Sequence, residues 1–280
     1  MKVSRYVWLH DKMIKEEDAH LPFFDRGYYF GDGVYEVIRI YSGKPFMLTA
    51  HWKRLERSAS EINIEMTVTK QAFSHIIFQL KEKNEIHNGY VYFQMTRGIE
   101  ERQHLYSNDL SPVITAFAKE SDIPLDKQKH GVSLWAMEDI RWLRCDIKTI
   151  HLLANVMAKN TAFTHGAEEA LLHRGNTVTE GASTNIFLVK NGVIYTHPAD
   201  NYILNGITRQ VVIELAKENR FPLKEKPFSL IDISENDEMF ITSTTLEIVP
   251  VTCIRGSIEV TLQPGIVTRK LQAAFQAREK

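Results

Sequence analysis

Two segments carry side chains that could do chemistry together. The first is Arg141-Trp142-Leu143-Arg144-Cys145-Asp146-Ile147-Lys148. The second is Thr177-Val178-Thr179-Glu180-Gly181-Ala182-Ser183-Thr184-Asn185, with Glu180 thirty-two residues after Lys148. One cofactor chemistry needs such a pair: a lysine that forms an imine with an aldehyde, and a carboxylate that keeps a pyridine nitrogen protonated. That is the chemistry of pyridoxal phosphate, in which the ring is an electron sink. Each segment taken singly is equally compatible with a surface lysine and a surface acid.

Three further clusters could serve an anionic ligand. Gly206-Ile207-Thr208-Arg209 precedes a helical pattern, and free N–H groups with the helix dipole favour a phosphate at such a start. A plain N-cap explains it as well. Thr242-Ser243-Thr244-Thr245 offers four consecutive hydroxyls, or simply a turn. In Thr96-Arg97-Gly98-Ile99-Glu100-Glu101-Arg102-Gln103-His104, Arg102 and His104 are two apart. Extended chain puts both on one side, where they could clamp a carboxylate, arginine through a bidentate contact. A charged surface loop is the alternative. Arg54 could supply a counter-charge from a helix.

Other chemistries find no support. The chain has no Gly-x-x-x-x-Gly-Lys-Ser/Thr, no Gly-x-Gly-x-x-Gly, no His-Glu-x-x-His and no Cys-x-x-Cys, and its eleven histidines are scattered. Nucleotide phosphate loops and a metal site are therefore not expected.

The elements that must position these residues are legible in outline. Tyr6 to Ile14 reads as a strand pair, and Val34 to Leu48 as strands turning at Ser42-Gly43. Thr49 and Thr69 read as N-caps of helices carrying Trp52, Leu55, Ala59 and Ile62, then Phe73, Ile76, Ile77 and Leu80. Strands follow at Tyr90–Thr96 and Val113–Ala118, and Glu120 to Lys129 reads as a polar linker. Beyond it come a strand at Val132–Met137, a helix ending before Gly166, and strands from Ala170 to Tyr195. A helix at about Thr208–Asn219, strands at Glu238–Thr242 and Val249–Ile254, and a terminal helix from about Val267 complete the chain. Grouped strands and helices predict an α+β architecture of two domains rather than a doubly wound parallel sheet. The expected division is 1–120, a linker at 121–129, and 130–280.

With 280 residues, 44% of them hydrophobic, and a net charge of −1, the chain suits two medium domains and offers no basic excess for nucleic acid. Two cysteines point to a reduced cytoplasmic setting. No apolar leader core follows Met1-Lys2-Val3-Ser4-Arg5, and no run of about 18 apolar residues predicts a membrane span.

Asp25-Arg26-Gly27-Tyr28-Tyr29-Phe30-Gly31-Asp32-Gly33-Val34-Tyr35-Glu36, Ile140 to Lys148 and Thr177 to Asn185 together resemble the signatures of the fold-type IV pyridoxal phosphate enzymes, the class IV aminotransferases. The likeness runs along nearly the whole chain and leans to the D-amino acid branch. It implies a smaller N-terminal domain and a larger, cofactor-binding C-terminal domain with a β-barrel-like core. It implies transamination of D-amino acids such as D-alanine and D-glutamate with 2-oxoglutarate or pyruvate, in ping-pong order. Branched-chain L-amino acid transaminases and aminodeoxychorismate lyases share the fold and are the alternatives.

By position, Lys148 would be the imine-forming lysine and general base, and Glu180 the partner of the pyridine nitrogen. Arg54, Ile207, Thr208 and Thr244 would hold the phosphate. Ser183 and Ser243 would lie beside the cofactor, and Leu204 would support its ring. Tyr35, Arg102 and His104 would trap the substrate α-carboxylate, the last two supplied by the other subunit of a homodimer. Ala182 departs from relatives that carry serine there.

Overall fold

A computed structural model describes residues 5–278. The start of the segment read for a leader, residues 1–4, lies outside them. The chain forms two compact units. One ends at Asp122 and takes in Ile147–Leu152; the other comprises Ile123–Asp146 and the chain from Leu153.

The first unit contains β1 (Tyr6–Leu9), β2 (Lys12–Lys15), α1 (Arg26–Phe30), β3 (Gly33–Tyr41), β4 (Lys44–Pro45), α2 (Leu48–Glu61), α3 (Lys70–Lys83), β5 (Gly89–Thr96) and β6 (Val113–Glu120). Its strands form one antiparallel sheet in the order β2-β1-β6-β5-β3-β4. Period-two alternation sends Val34, Ile38 and Ile40 of β3 and Val91, Phe93 and Met95 of β5 into the core. There they meet Trp52, Leu55 and Ala59 of α2 and Phe73, Ile76, Ile77 and Leu80 of α3, at the three- and four-residue spacing of a helical stripe.

Thr69 caps α3 as expected, its side chain accepting from Ala72 N at 3.2 Å. Thr49 does not cap α2. The chain enters that helix through Met47, a left-handed residue at φ 51°, whose carbonyl accepts from Ala50 and His51. The tight exit from the β3–β4 hairpin makes the turn with backbone, which leaves Thr49 inside the first helical turn.

The second unit contains α4 (Leu125–His130), β7 (Val132–Glu138), α5 (Leu153–Thr164), β8 (Glu169–Arg174), β9 (Thr177–Val178), β10 (Asn185–Lys190), β11 (Val193–Thr196), α6 (Ile207–Glu218), β12 (Leu223–Glu225), β13 (Glu238–Ser243), β14 (Glu247–Gly256), β15 (Val260–Thr261) and α7 (Ile266–Arg278). Its nine strands make a curled half-barrel sheet, with parallel pairs at β14–β7, β7–β8 and β11–β12 and antiparallel pairs elsewhere. The core is Leu134, Leu171, Ile186, Leu188, Ile241, Val249 and Val251 with their neighbours. The fold is thus the α+β arrangement expected.

The polar stretch 121–129 is not all loop. It carries most of α4, whose Gln128 is buried and donates to Glu247 Oε2 at 2.7 Å. The charged side chains of the stretch, Asp122, Asp126, Lys127 and Lys129, are exposed.

Candidate active site

In the first unit the side chains of interest gather on β3 and α2. Alternation puts Glu36 on the inner face of β3, where it is fully buried. Arg54, midway along α2, answers it with a two-pronged contact, Nε to Oε1 at 2.7 Å and Nη2 to Oε2 at 2.8 Å. His51 Nδ1 lies 2.7 Å from Oε2. Burial pushes the Glu36 carboxyl up, but Arg54 and His51 outweigh it and hold the acid down to about 2. Burial pushes the His51 ring down, towards the neutral form.

Glu36→Gln should therefore destabilise the protein at pH 7 by about 3 kcal/mol, the cost of breaking a buried pair. A carboxyl depressed from 4.5 to about 2 stabilises above pH 4.5 and loses that contribution as pH falls through 2. Urea unfolding of wild type and variant at pH 7 and pH 3 should show the gap narrowing at the lower pH; a gap that widens refutes the pairing.

Lys148 lies on the segment that returns to this unit. Its backbone N–H donates to Ser58 Oγ at 3.2 Å, and its carbonyl accepts from Tyr35 N at 3.0 Å. Its ammonium sits over the Tyr35 ring, 4.0 Å from the centroid. The neighbouring Ile147 is anchored in the core, and Thr149 bridges Val34. The segment is thus fixed on both sides of the lysine, which is itself only half-buried. Arg102 and His104 lie apart from these residues in sequence, in the loop after β5. Both pack on Phe30 of α1, at 5.2 Å and 5.5 Å from its ring.

In the second unit Glu180 follows β9 and is 5% exposed. Arg141 Nη1 donates to its Oε1 at 2.6 Å, and Asn185 Nδ2 and Leu204 N donate to Oε2 at 2.9 Å and 3.1 Å. Arg141 is itself gripped by Asp139, Nε to Oδ1 and Nη2 to Oδ2, both at 2.9 Å. Burial raises the Glu180 carboxyl to about 7 even against the pull of Arg141, which is shared with Asp139. The two acids hold the Arg141 guanidinium firmly charged. Arg141 and Asn185 lie inside the segments 141–148 and 177–185, but their pairing with Glu180 is made through space and leaves no mark in the sequence.

Leu204 leads into α6, whose N-cap Gly206 has no side-chain capping bond. A Cβ at Gly206 would collide with Asn185 Oδ1, so glycine is what lets the helix start close to the Glu180 cluster. The first N–H groups of α6, at Ile207, Thr208 and Arg209, have no partner within the helix. Thr242 pairs with Asn185 across β10 and β13, so the two side chains share a face. Its Oγ1 is buried with no hydrogen-bond partner among the described residues. Ser243 ends β13 and Thr244 begins the turn to β14, across which Ser243 Oγ accepts from Leu246 N at 3.2 Å. Ser183 Oγ donates to Glu169 Oε2 at 2.7 Å. An uncapped helix start, an orphaned hydroxyl and a buried acid raised towards neutrality fit a ligand with a phosphate and a basic ring nitrogen. Among the described residues no group of histidine, cysteine and acidic side chains is arranged to hold a metal ion.

The class of protein is set by comparison with known families. Residues 33–254 match the family model described as amino-transferase class IV. The chain is 45% identical over 270 residues to a D-alanine aminotransferase of Staphylococcus haemolyticus, covering 96% of each chain. It is 46% identical over 274 residues to a D-alanine aminotransferase of Listeria monocytogenes serotype 4b (strain F2365), covering 96% of this chain and 94% of the other. A branched-chain aminotransferase from Thermoproteus uzoniensis, solved with norvaline, superimposes with a TM-score of 0.90 at 28% identity, over 99% of this chain and 95% of that one. The chain belongs to the class IV aminotransferases.

Proposed function

We propose that this protein is a pyridoxal phosphate-dependent transaminase that moves amino groups from D-amino acids to 2-oxo acids. The observation that carries the reading is near-full-length similarity, at 45% and 46% identity, to D-alanine aminotransferases. The Arg102–His104 pair supports the D-amino acid branch.

When bound, pyridoxal phosphate supplies the electron sink for charge developing at the substrate Cα. In this reading Lys148 would be the residue that holds the cofactor, and its Nζ would carry the substrate Cα proton. Glu180 holds the ring nitrogen through a charge-assisted hydrogen bond, oriented by Arg141 and Asn185. Arg54, Ile207, Thr208 and Thr244 bind the phosphate, the middle two at the start of a helix. Ser183 and Ser243 flank the cofactor and Leu204 supports the ring. Tyr35, Arg102 and His104 bind the α-carboxylate, with bidentate arginine giving orientation as well as affinity.

Two copies complete the site in this reading, Arg102 and His104 serving the neighbouring one. Exposed apolar side chains of the same unit support it: Leu105, next to His104, is 83% exposed, and Phe23 and Tyr28 each 74%. Free cysteines Cys145 and Cys253 support a cytoplasmic setting. Among the described residues no helix is long and apolar enough to cross a membrane.

A coupled assay of D-alanine and then L-alanine, each with 2-oxoglutarate and added pyridoxal phosphate, tests the reading. Turnover of D-alanine in preference to L-alanine is expected. Preference for L-amino acids would move the protein to the branched-chain enzymes, whose fold it shares.

A further inference from the structure

We propose that Arg26 is a positioning residue for substrate recognition: its guanidinium fixes the loop that carries Arg102 and His104. The proposal rests on the reading of those two residues as the carboxylate trap.

Arg26 opens α1 and is only 3% exposed. All three of its nitrogens donate. Nε donates to Asp32 Oδ2 at 2.9 Å, Nη1 to the Gln103 carbonyl at 2.8 Å and to Glu100 Oε2 at 3.3 Å, and Nη2 to the His104 carbonyl at 3.4 Å. Two of these acceptors are main-chain oxygens of the residues that follow Arg102. One side chain therefore sets the path of the loop at the point where the trap projects from it.

The rest of the neighbourhood orients Arg26 itself. Asp32 is held by Arg97, Nε to Oδ2 at 2.8 Å and Nη2 to Oδ1 at 3.0 Å. Arg97 is pinned in turn to the Ile62 and Asn63 carbonyls. The backbone of Arg26 donates to Gly98 O, and that of Glu100 to Phe24 O, so the two segments are stitched on both sides. Phe30, one turn along α1, is the common platform. Arg26 stacks on it at 4.8 Å, Arg102 at 5.2 Å and the His104 ring at 5.5 Å. α1 is short, but its end is sharply defined: Gly31 is left-handed at φ 67° and returns its N–H to Gly27 O. A lysine at this position would keep the charge and lose the planar fork, since the three N–H groups of one ammonium cannot reach all four of these divergent acceptors.

The test compares wild type, Arg26→Lys, Arg102→Ala and the double variant, each as holoenzyme. KM and kcat for D-alanine are measured, with the inhibition constant of D-lactate, which presents the carboxylate without an amino group. Arg26→Lys should raise KM and the D-lactate constant about tenfold, with a smaller change in kcat, the scale of one lost charged contact. Because it acts through the trap, it should add little once Arg102 is gone. Thermal unfolding identifies a variant that fails to fold, in which case Phe30→Leu, which removes the platform and not the charge, is measured in its place.

Unchanged D-lactate binding in Arg26→Lys, beside a clear loss in Arg102→Ala, overturns the role of Arg26 and leaves the trap standing. Additive effects in the double variant overturn it too. No loss in Arg102→Ala overturns the trap and this proposal together.

Discussion

Lys148→Ala should abolish transamination, lowering kcat by at least about 10⁴-fold, because in the proposed reading one side chain would be both the covalent anchor and the proton carrier. Its surroundings suit a residue whose position matters. Ile147 is locked in the core, the Lys148 N–H is tied to Ser58, and the ammonium rests 4.0 Å over Tyr35. Lys148→Arg separates charge from nucleophilicity. It keeps a cation that can sit over Tyr35, but guanidinium stays protonated and does not attack an aldehyde at neutral pH. Both variants should be inactive with an unchanged circular dichroism spectrum. Activity in Lys148→Arg would show that the cation alone suffices, and near wild-type turnover in Lys148→Ala would end the assignment.

Glu180→Gln should leave a folded protein that binds cofactor and turns over slowly. A neutral amide cannot balance a protonated ring nitrogen, and losing one preorganised electrostatic contact of this kind costs on the order of 10²–10³ in rate. Arg141 keeps its two-pronged partner Asp139, so the substitution does not strand a buried cation. The readout is the single-turnover rate with D-alanine, followed through the cofactor absorbance. A rate equal to wild type would remove Glu180 from the chemistry.

This variant also changes the pH behaviour of the protein without cofactor. Burial raises Glu180 from 4.5 to about 7. A carboxyl raised on folding stabilises most below pH 4.5, and the contribution fades as pH climbs through 7. Glutamine does not titrate, so that part of the pH dependence should vanish.

Much of the fold was legible because its signals are local. Thr69 caps α3, and the glycine turn at Ser42-Gly43 separates strands where expected; Arg174-Gly175 and Asn191-Gly192 likewise part β8 from β9 and β10 from β11. What escaped was short or non-periodic. The five residues of α1 are too few to show a helical stripe, and the two-residue strand β15 exists only through its pairing with β14. Thr49 misled because a threonine before an apolar stripe looks like a cap, while the backbone of Met47 had already made the turn.

The sequence by itself determined the kinds of groups available: an amine at 148, an acid at 180, hydroxyls and glycine at a helix start, and a basic pair at 102 and 104. Motif order was enough to connect them with a family, because motif order survives in one dimension. Tertiary structure decided their state. Glu36 and Glu180 are the same residue type, yet one is held at about 2 and the other at about 7. The difference is how completely their arginines are theirs. Arg54 grips Glu36 from two sides with His51 beside it, whereas Arg141 divides itself between Glu180 and Asp139. Desolvation and ion pairing act through space, over a few ångströms, between residues up to 39 positions apart.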